Sequence, residues 1–208
     1  MLSHGTRLRS RITAQRQKSG KEWDLNQPPH PRGPIAFETE DLKLDNSSES
    51  YRVQLQKEQL VFSSAHFITF AGDICECLHG HNYGVKAEVC GPLDENKYVI
   101  DFIAFRDNLE KIVRRLDHHM LLPMTHPMIR VEAGEKEVVT TFREKRWVFP
   151  LEDCILLPIT NTTAEQLAWW IGTELKKLLK PTTETGIESL EVAVDENNGQ
   201  WGICKLPW

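Results

Sequence analysis

Tyr51, Val53 and Leu55 alternate with Arg52, Gln54 and Gln56, the two-residue period of a strand with one buried face. Val61 to Phe67 follow after a polar break, which predicts a hairpin or one long bent strand. His81, Tyr83, Val85, Ala87 and Val89 share a parity against Asn82, Lys86 and Glu88, and Gly91-Pro92-Leu93-Asp94 ends that run with turn residues. Beyond Val99-Ile100-Asp101-Phe102 the period becomes helical: Phe105, Leu109, Ile112, Val113 and Leu116 form a stripe, with Asp101 available as a cap and an end near Asp117-His118-His119. A second helix is predicted from Asn161-Thr162-Thr163-Ala164-Glu165, where Thr162 and Glu165 have capping-box spacing, through Leu167, Ile171, Leu175 and Leu178 to Pro181. Leu190, Val192 and Val194 then alternate with Glu191, Ala193 and Asp195 in a strand whose apolar parity ends in Glu196, aiming a carboxylate at a pocket. Val138 to Phe142 and Arg146 to Phe149 read as a short hairpin across Glu144-Lys145. The order predicts an α+β domain, an antiparallel sheet with two helices packed on one face.

Composition narrows the class. At 208 residues and 40% hydrophobic the chain can bury one ordinary core. Residues 1–21 carry Arg7, Arg9, Arg11, Arg16, Lys18 and Lys21 without an acid, and Asn26-Gln27-Pro28-Pro29-His30-Pro31 follows, so residues 1–50 are expected to be a disordered basic, proline-rich tail rather than a targeting peptide or phosphate-binding arm. That leaves residues 51–208 as the catalytic domain. Net charge of −5 gives no general attraction to nucleic acid or anionic membrane, and no apolar run approaches a membrane span. Five cysteines without a disulfide-like spacing fit a reducing cytoplasm.

The candidate chemistry lies in Cys75-Glu76-Cys77-Leu78-His79-Gly80-His81 and in His66 of Phe62-Ser63-Ser64-Ala65-His66. Side chains two apart on a strand share a face, so His79 and His81 can converge on one ion while His66 joins them from a neighbouring strand. Three neutral imidazoles leave one tetrahedral position of Zn2+ for water or substrate, the pattern of a working site. A closed site of Cys75, Cys77, His79 and His81 is the competing reading, but strict alternation spreads those four over too long a span. Cys90, Cys154 and Cys204 read as structural thiols, and His119 as a surface or capping residue.

The zinc motif, Leu116-Asp117-His118-His119, the Asn161-Thr162-Thr163-Ala164-Glu165 helix start and Val194-Asp195-Glu196 occur in the order of the 6-pyruvoyltetrahydropterin synthase family, which the chain resembles from about Tyr51 to its end. The resemblance implies the T-fold, in which sheets of several subunits join into a barrel, and hence a homo-oligomer with pterin sites at subunit contacts. It implies His66, His79 and His81 as zinc ligands, Cys75 as the proton-transferring thiol, Asp117 and His118 as its relay, Glu196 as the anchor of the pterin ring, and Thr162 and Thr163 as ring contacts. A hairpin at about 126–157 is extra for the family.

Cys75 stands four positions before His79, as in 6-carboxytetrahydropterin synthases. That implies conversion of 7,8-dihydroneopterin triphosphate to 6-carboxy-5,6,7,8-tetrahydropterin, with release of acetaldehyde and triphosphate, in 7-deazaguanine or queuosine precursor synthesis. Glu76 stands three before His79, as in members that make 6-hydroxymethyl-7,8-dihydropterin for folate, so it is the alternative base and dual activity the second reading. Pyruvoyltetrahydropterin formation comes third. Adjacent strand residues face opposite ways, so one of Cys75 and Glu76 is expected to be silent unless the segment is irregular. A zinc-stabilised oligomeric scaffold without catalysis is the non-enzymatic alternative.

Overall fold

The computed structural model describes residues 49–180 and 186–208; the expected tail, save 49 and 50, and Pro181 lie outside them. The first pattern forms one 16-residue strand, β1 (Tyr51–His66), whose register against β4 (His79–Gly91) shifts between Gln56 and Val61, so the polar break is an irregularity rather than a turn. Between them lie the two-residue strands β2 (Thr69–Phe70) and β3 (Ile74–Cys75), paired with each other. The helix α1 (Phe102–Leu116) starts where Asp101 accepts hydrogen bonds from the N–H groups of Ile103 and Ala104.

Six strands form the main sheet in the order β11 (Trp201–Pro207), β10 (Ser189–Asp195), β4, β1, β5 (His119–Pro123), β9 (Cys154–Leu157). The expectation of a purely antiparallel sheet is corrected: β5 runs parallel to β1, and β9 parallel to β5. Both are buried on two faces. Leu121 and Leu157 join the main core under the helices, whereas Met120, Leu122 and Cys154 join a second apolar cluster on the other side. A strand covered twice shows an unbroken apolar run instead of alternation. The second cover is the predicted hairpin enlarged to three strands, β6 (Arg130–Ala133), β7 (Glu137–Phe142) and β8 (Lys145–Pro150), whose Val138 and Phe142 enter that cluster.

The helix α2 (Ala164–Leu179) packs on β10 and β11 and joins α1 in the main core. Its cap is Thr163, which accepts from the Gln166 N–H; the Thr162/Glu165 box is not used, and Leu178 faces outward while Leu179 is buried. The first turn of α2 presses on β11 at Gly202, where an added Cβ would lie 2.5 Å from the Ala164 carbonyl carbon. Only glycine fits so close an approach of two backbones.

Candidate metal centre

Register builds the site. His66 of β1 pairs directly with His79 of β4, and His81 follows two positions on, so all three rings share the face that carries Phe62 and Tyr83. The Asp195 carboxylate accepts from the Gly199 and Gln200 N–H groups and shapes the turn after β10, which delivers Glu196 to the same place. One ligand atom from each of His66, His79, His81 and Glu196 lies within 4.8 Å of all the others, a group able to hold a metal ion.

The proton inventory shows why a cation belongs among them. The Nδ1 of His66 lies 2.9 Å from the Thr162 carbonyl oxygen and the Nδ1 of His79 lies 2.8 Å from that of Cys77. A carbonyl only accepts, so each Nδ1 carries the hydrogen and each neutral ring presents a bare Nε2. Those two Nε2 atoms stand 3.2 Å apart, Glu196 Oε1 is 3.2 Å from the first, and the buried Nε2 of His81 has no hydrogen-bond partner. Lone pairs converging in this way repel unless a proton or metal ion stands between them. Carbonyls that fix the tautomer are the outer support that metal-binding histidines commonly have. Burial foremost lowers the pKa of His81, against the opposing pull of Glu196, which favours its neutral, ligating form. When His66 is protonated its Nε2–H donates to Glu196, and that bond foremost holds the Glu196 carboxyl below its ordinary range.

Cys75 and Glu76 part company. The Glu76 carboxylate reaches to 3.9 Å from His79 Nε2, whereas Cys75 is buried in the second cluster with Phe67 and Met120. Burial foremost pushes the Cys75 thiol up, with Lys145 pulling against it, so the protein matrix alone does not favour a thiolate. Cys77 is exposed, and the site is not the closed Cys-Cys-His-His arrangement.

Asp117 and His118 form a pair, Nδ1 to Oδ2 3.0 Å, and the Ser63 N–H foremost holds the Asp117 carboxyl below its ordinary value. His118 is 83% exposed, with its backbone in the left-handed region (φ 60°), and it borders a cavity with Ser63 and Asn82, which alternate out of phase with His66 and His81. Among the described residues no hydrogen bond or ion pair joins the pair to the imidazoles, though His81 lines the same cavity. The two threonines also have other work: Thr162 is fully buried with its hydroxyl donating to the Phe67 carbonyl, and Thr163 caps α2. The Thr162 hydroxyl is closed to a ligand, and the half-buried Thr163 hydroxyl is engaged at the cap.

Two supporting residues were not among the site residues expected from the sequence. The Asn161 amide donates to the Thr69 carbonyl and its oxygen accepts from the Thr162 N–H, tying the start of α2 to β2. The Nδ1 of His126 accepts from the N–H groups of Met128 and Ile129, which leaves its Nε2–H to donate to Thr69 Oγ1 at 2.7 Å. Both act through pairings that are distant in sequence and show no periodicity.

A family model described as 6-pyruvoyl tetrahydropterin synthase matches residues 54–206. A protein of Methanocaldococcus jannaschii, provisionally described as a 6-carboxy-5,6,7,8-tetrahydropterin synthase, is 37% identical over 146 residues, 70% of this chain and 88% of its own. A 6-carboxy-5,6,7,8-tetrahydropterin synthase of Aquifex aeolicus is 30% identical over 51% of this chain and 59% of its own. Among solved structures, a 6-pyruvoyltetrahydropterin synthase of Plasmodium vivax superposes with a TM-score of 0.72 at 28% identity, covering 77% of this chain and 99% of that one. A catalytic-residue mutant of the same protein, a glutamate replaced by alanine, gives 0.71 at 27% identity over the same shares.

Proposed function

The chain belongs to the 6-pyruvoyl tetrahydropterin synthase family, and from that premise we propose that it is a zinc-dependent lyase acting on 7,8-dihydroneopterin triphosphate. The observation that carries this reading is the convergence of His66, His79, His81 and Glu196, with Glu76 beside it. The names of the relatives support 6-carboxy-5,6,7,8-tetrahydropterin as the product, with acetaldehyde and triphosphate released, for 7-deazaguanine or queuosine precursor synthesis. The position of Glu76 favours a second reading, cleavage to 6-hydroxymethyl-7,8-dihydropterin for folate synthesis, alone or alongside the first.

Zinc suits three imidazoles with one further position, and when bound it supplies Lewis acidity to the hydroxyls of the substrate side chain. For the hydroxymethyl product the substrate's C1′–C2′ bond breaks. Glu76 takes the proton of the C2′ hydroxyl, the bond electrons pass into the ring C6=N5 imine, and a proton returns at C1′. The two-carbon aldehyde leaves with the triphosphate. For the carboxy product Cys75 is the proton-transferring group, with Asp117 and His118 as its relay. Glu196 would accept hydrogen bonds from the amino-pyrimidine edge of the pterin if the three imidazoles alone held the zinc. A homo-oligomer with sites at subunit contacts, and a cytoplasmic location among pterin substrates, belong to the same proposal, which rests on the family membership.

The test is to incubate zinc-loaded protein with 7,8-dihydroneopterin triphosphate and identify the pterins by mass. Either named product supports the assignment. Unchanged substrate with bound zinc supports the scaffold reading instead.

A further inference from the structure

Cys75 and Glu76 are neighbours, and what decides which of them faces the histidines is not their own strand pairing. The strands β2 and β3 pair over two residues each, and beyond them the Glu76 N–H donates to the Ile68 carbonyl. So short a ladder is weakly held. Asn161 and His126 hold β2 at Thr69, and the ties on the β3 side come from the tip and edge of the β7–β8 hairpin. The Lys145 ammonium donates to the Cys75 carbonyl at 2.9 Å, Arg143 reaches Asp73 at 2.8 Å, and Trp147 stacks on Phe67 with ring centroids 4.6 Å apart. The Arg143–Asp73 pair is exposed and contributes little. Lys145 is the tie that acts on the decisive residue, because a charge-assisted bond to the Cys75 carbonyl fixes the rotation of that peptide and so the sides to which Cys75 and Glu76 project.

We propose that Lys145 is a positioning residue: its bond to the Cys75 carbonyl holds Glu76 toward the histidine cluster and Cys75 in the apolar cluster. The three-stranded β6–β8 unit thereby sets the ratio of the two pterin products. The second clause rests on the function proposed above; the first does not.

The experiment therefore has two readouts on the full-length, zinc-loaded protein. In the first, iodoacetamide labelling is followed at each cysteine by peptide mass. Lys145→Met is expected to raise the labelling rate of Cys75 by about ten-fold, the population change that follows loss of one charge-assisted hydrogen bond. Cys154, buried in the same cluster, keeps its slow rate, and Lys145→Arg labels like the unmodified chain. Unchanged labelling of Cys75, or labelling of Cys154 that rises in step with it, overturns the role of Lys145. In the second, the ratio of 6-hydroxymethyl-7,8-dihydropterin to 6-carboxy-5,6,7,8-tetrahydropterin is expected to fall in Lys145→Met and to recover in Lys145→Arg. An unchanged ratio, or a carboxy product alone from the unmodified chain, overturns the proposed control of products. If no variant converts the substrate, the function fails while labelling still decides the position of Cys75.

Discussion

The Nδ1 of His66 donates to the carbonyl oxygen of Thr162, 2.9 Å away and 96 positions along the chain. This one bond joins the end of β1 to the start of α2 and turns a bare Nε2 toward His79. The Thr162 peptide is in turn held by Asn161, whose side chain bridges to Thr69. Asn161→Ala is expected to weaken zinc binding by about ten-fold, the lower end of what loss of an outer supporting partner costs a metal site. Competition with a chromophoric chelator measures it, and an unchanged affinity shows that the Thr162 carbonyl is positioned without Asn161.

Zinc competes with protons for the imidazole nitrogens. Affinity therefore rises with pH and falls as the medium is acidified through the ordinary histidine value of 6.5. The lowered pKa of His81 keeps that ligand neutral to more acid pH, and the lowered pKa of Glu196 keeps its carboxylate charged there. Zinc titrations at about pH 8 and about pH 5.5 are expected to differ at least ten-fold in affinity. Equal affinities exclude the three imidazoles as the ligands.

Glu76→Gln keeps the size of the side chain and removes its basicity. The expected result is loss of 6-hydroxymethyl-7,8-dihydropterin formation by about a hundred-fold, the lower range for a general base, with zinc content unchanged. Cys75→Ala is expected to remove the carboxy product alone. If both products survive Glu76→Gln at full rate, the carboxylate near His79 is a bystander.

Chelation is expected to abolish turnover while leaving the circular dichroism spectrum in place. The main core runs from Leu55 to Val194 through both helices and all but encloses Tyr83, so its burial does not depend on the ion. Collapse of the spectrum on chelation points instead to a structural site.

Gly202→Ala places a methyl group within 2.5 Å of the first turn of α2 and is expected to cost about 1–3 kcal/mol, typical of overpacking. Gly172→Ala, where the nearest neighbour is the Leu206 side chain at 2.9 Å, is expected to cost less because that side chain can turn away. A thermal melt of each variant compares them, and a larger loss in Gly172→Ala contradicts the account.

Alternation made β1, β4 and β10 legible, and with them the shared face of His79, His81 and Tyr83 and the inward aim of Glu196. The strands β5 and β9 were not, because Met120-Leu121-Leu122 and Cys154-Ile155-Leu156-Leu157 have apolar residues on both faces and hence no period. The α2 cap shifted by one because Thr163 and Gln166 have the same spacing as Thr162 and Glu165, and the burial of Thr162 against Phe67, a long-range event, decides between them. The burial of Cys75 was out of reach for the same reason, since it depends on Phe67, Met120 and the β6–β8 strands meeting in space. The dense Cys-Glu-Cys-x-His-Gly-His stretch identified the site's address but not which side chain of the Cys75–Glu76 pair turns inward.

The doubly covered pair β5 and β9 constrains any attempt to shorten this protein. Trimming the three-stranded excursion back to a tight loop would leave Met120, Leu122 and Cys154 facing water. A minimised variant of this scaffold therefore needs polar replacements along the back of both strands, or it will stick to its neighbours.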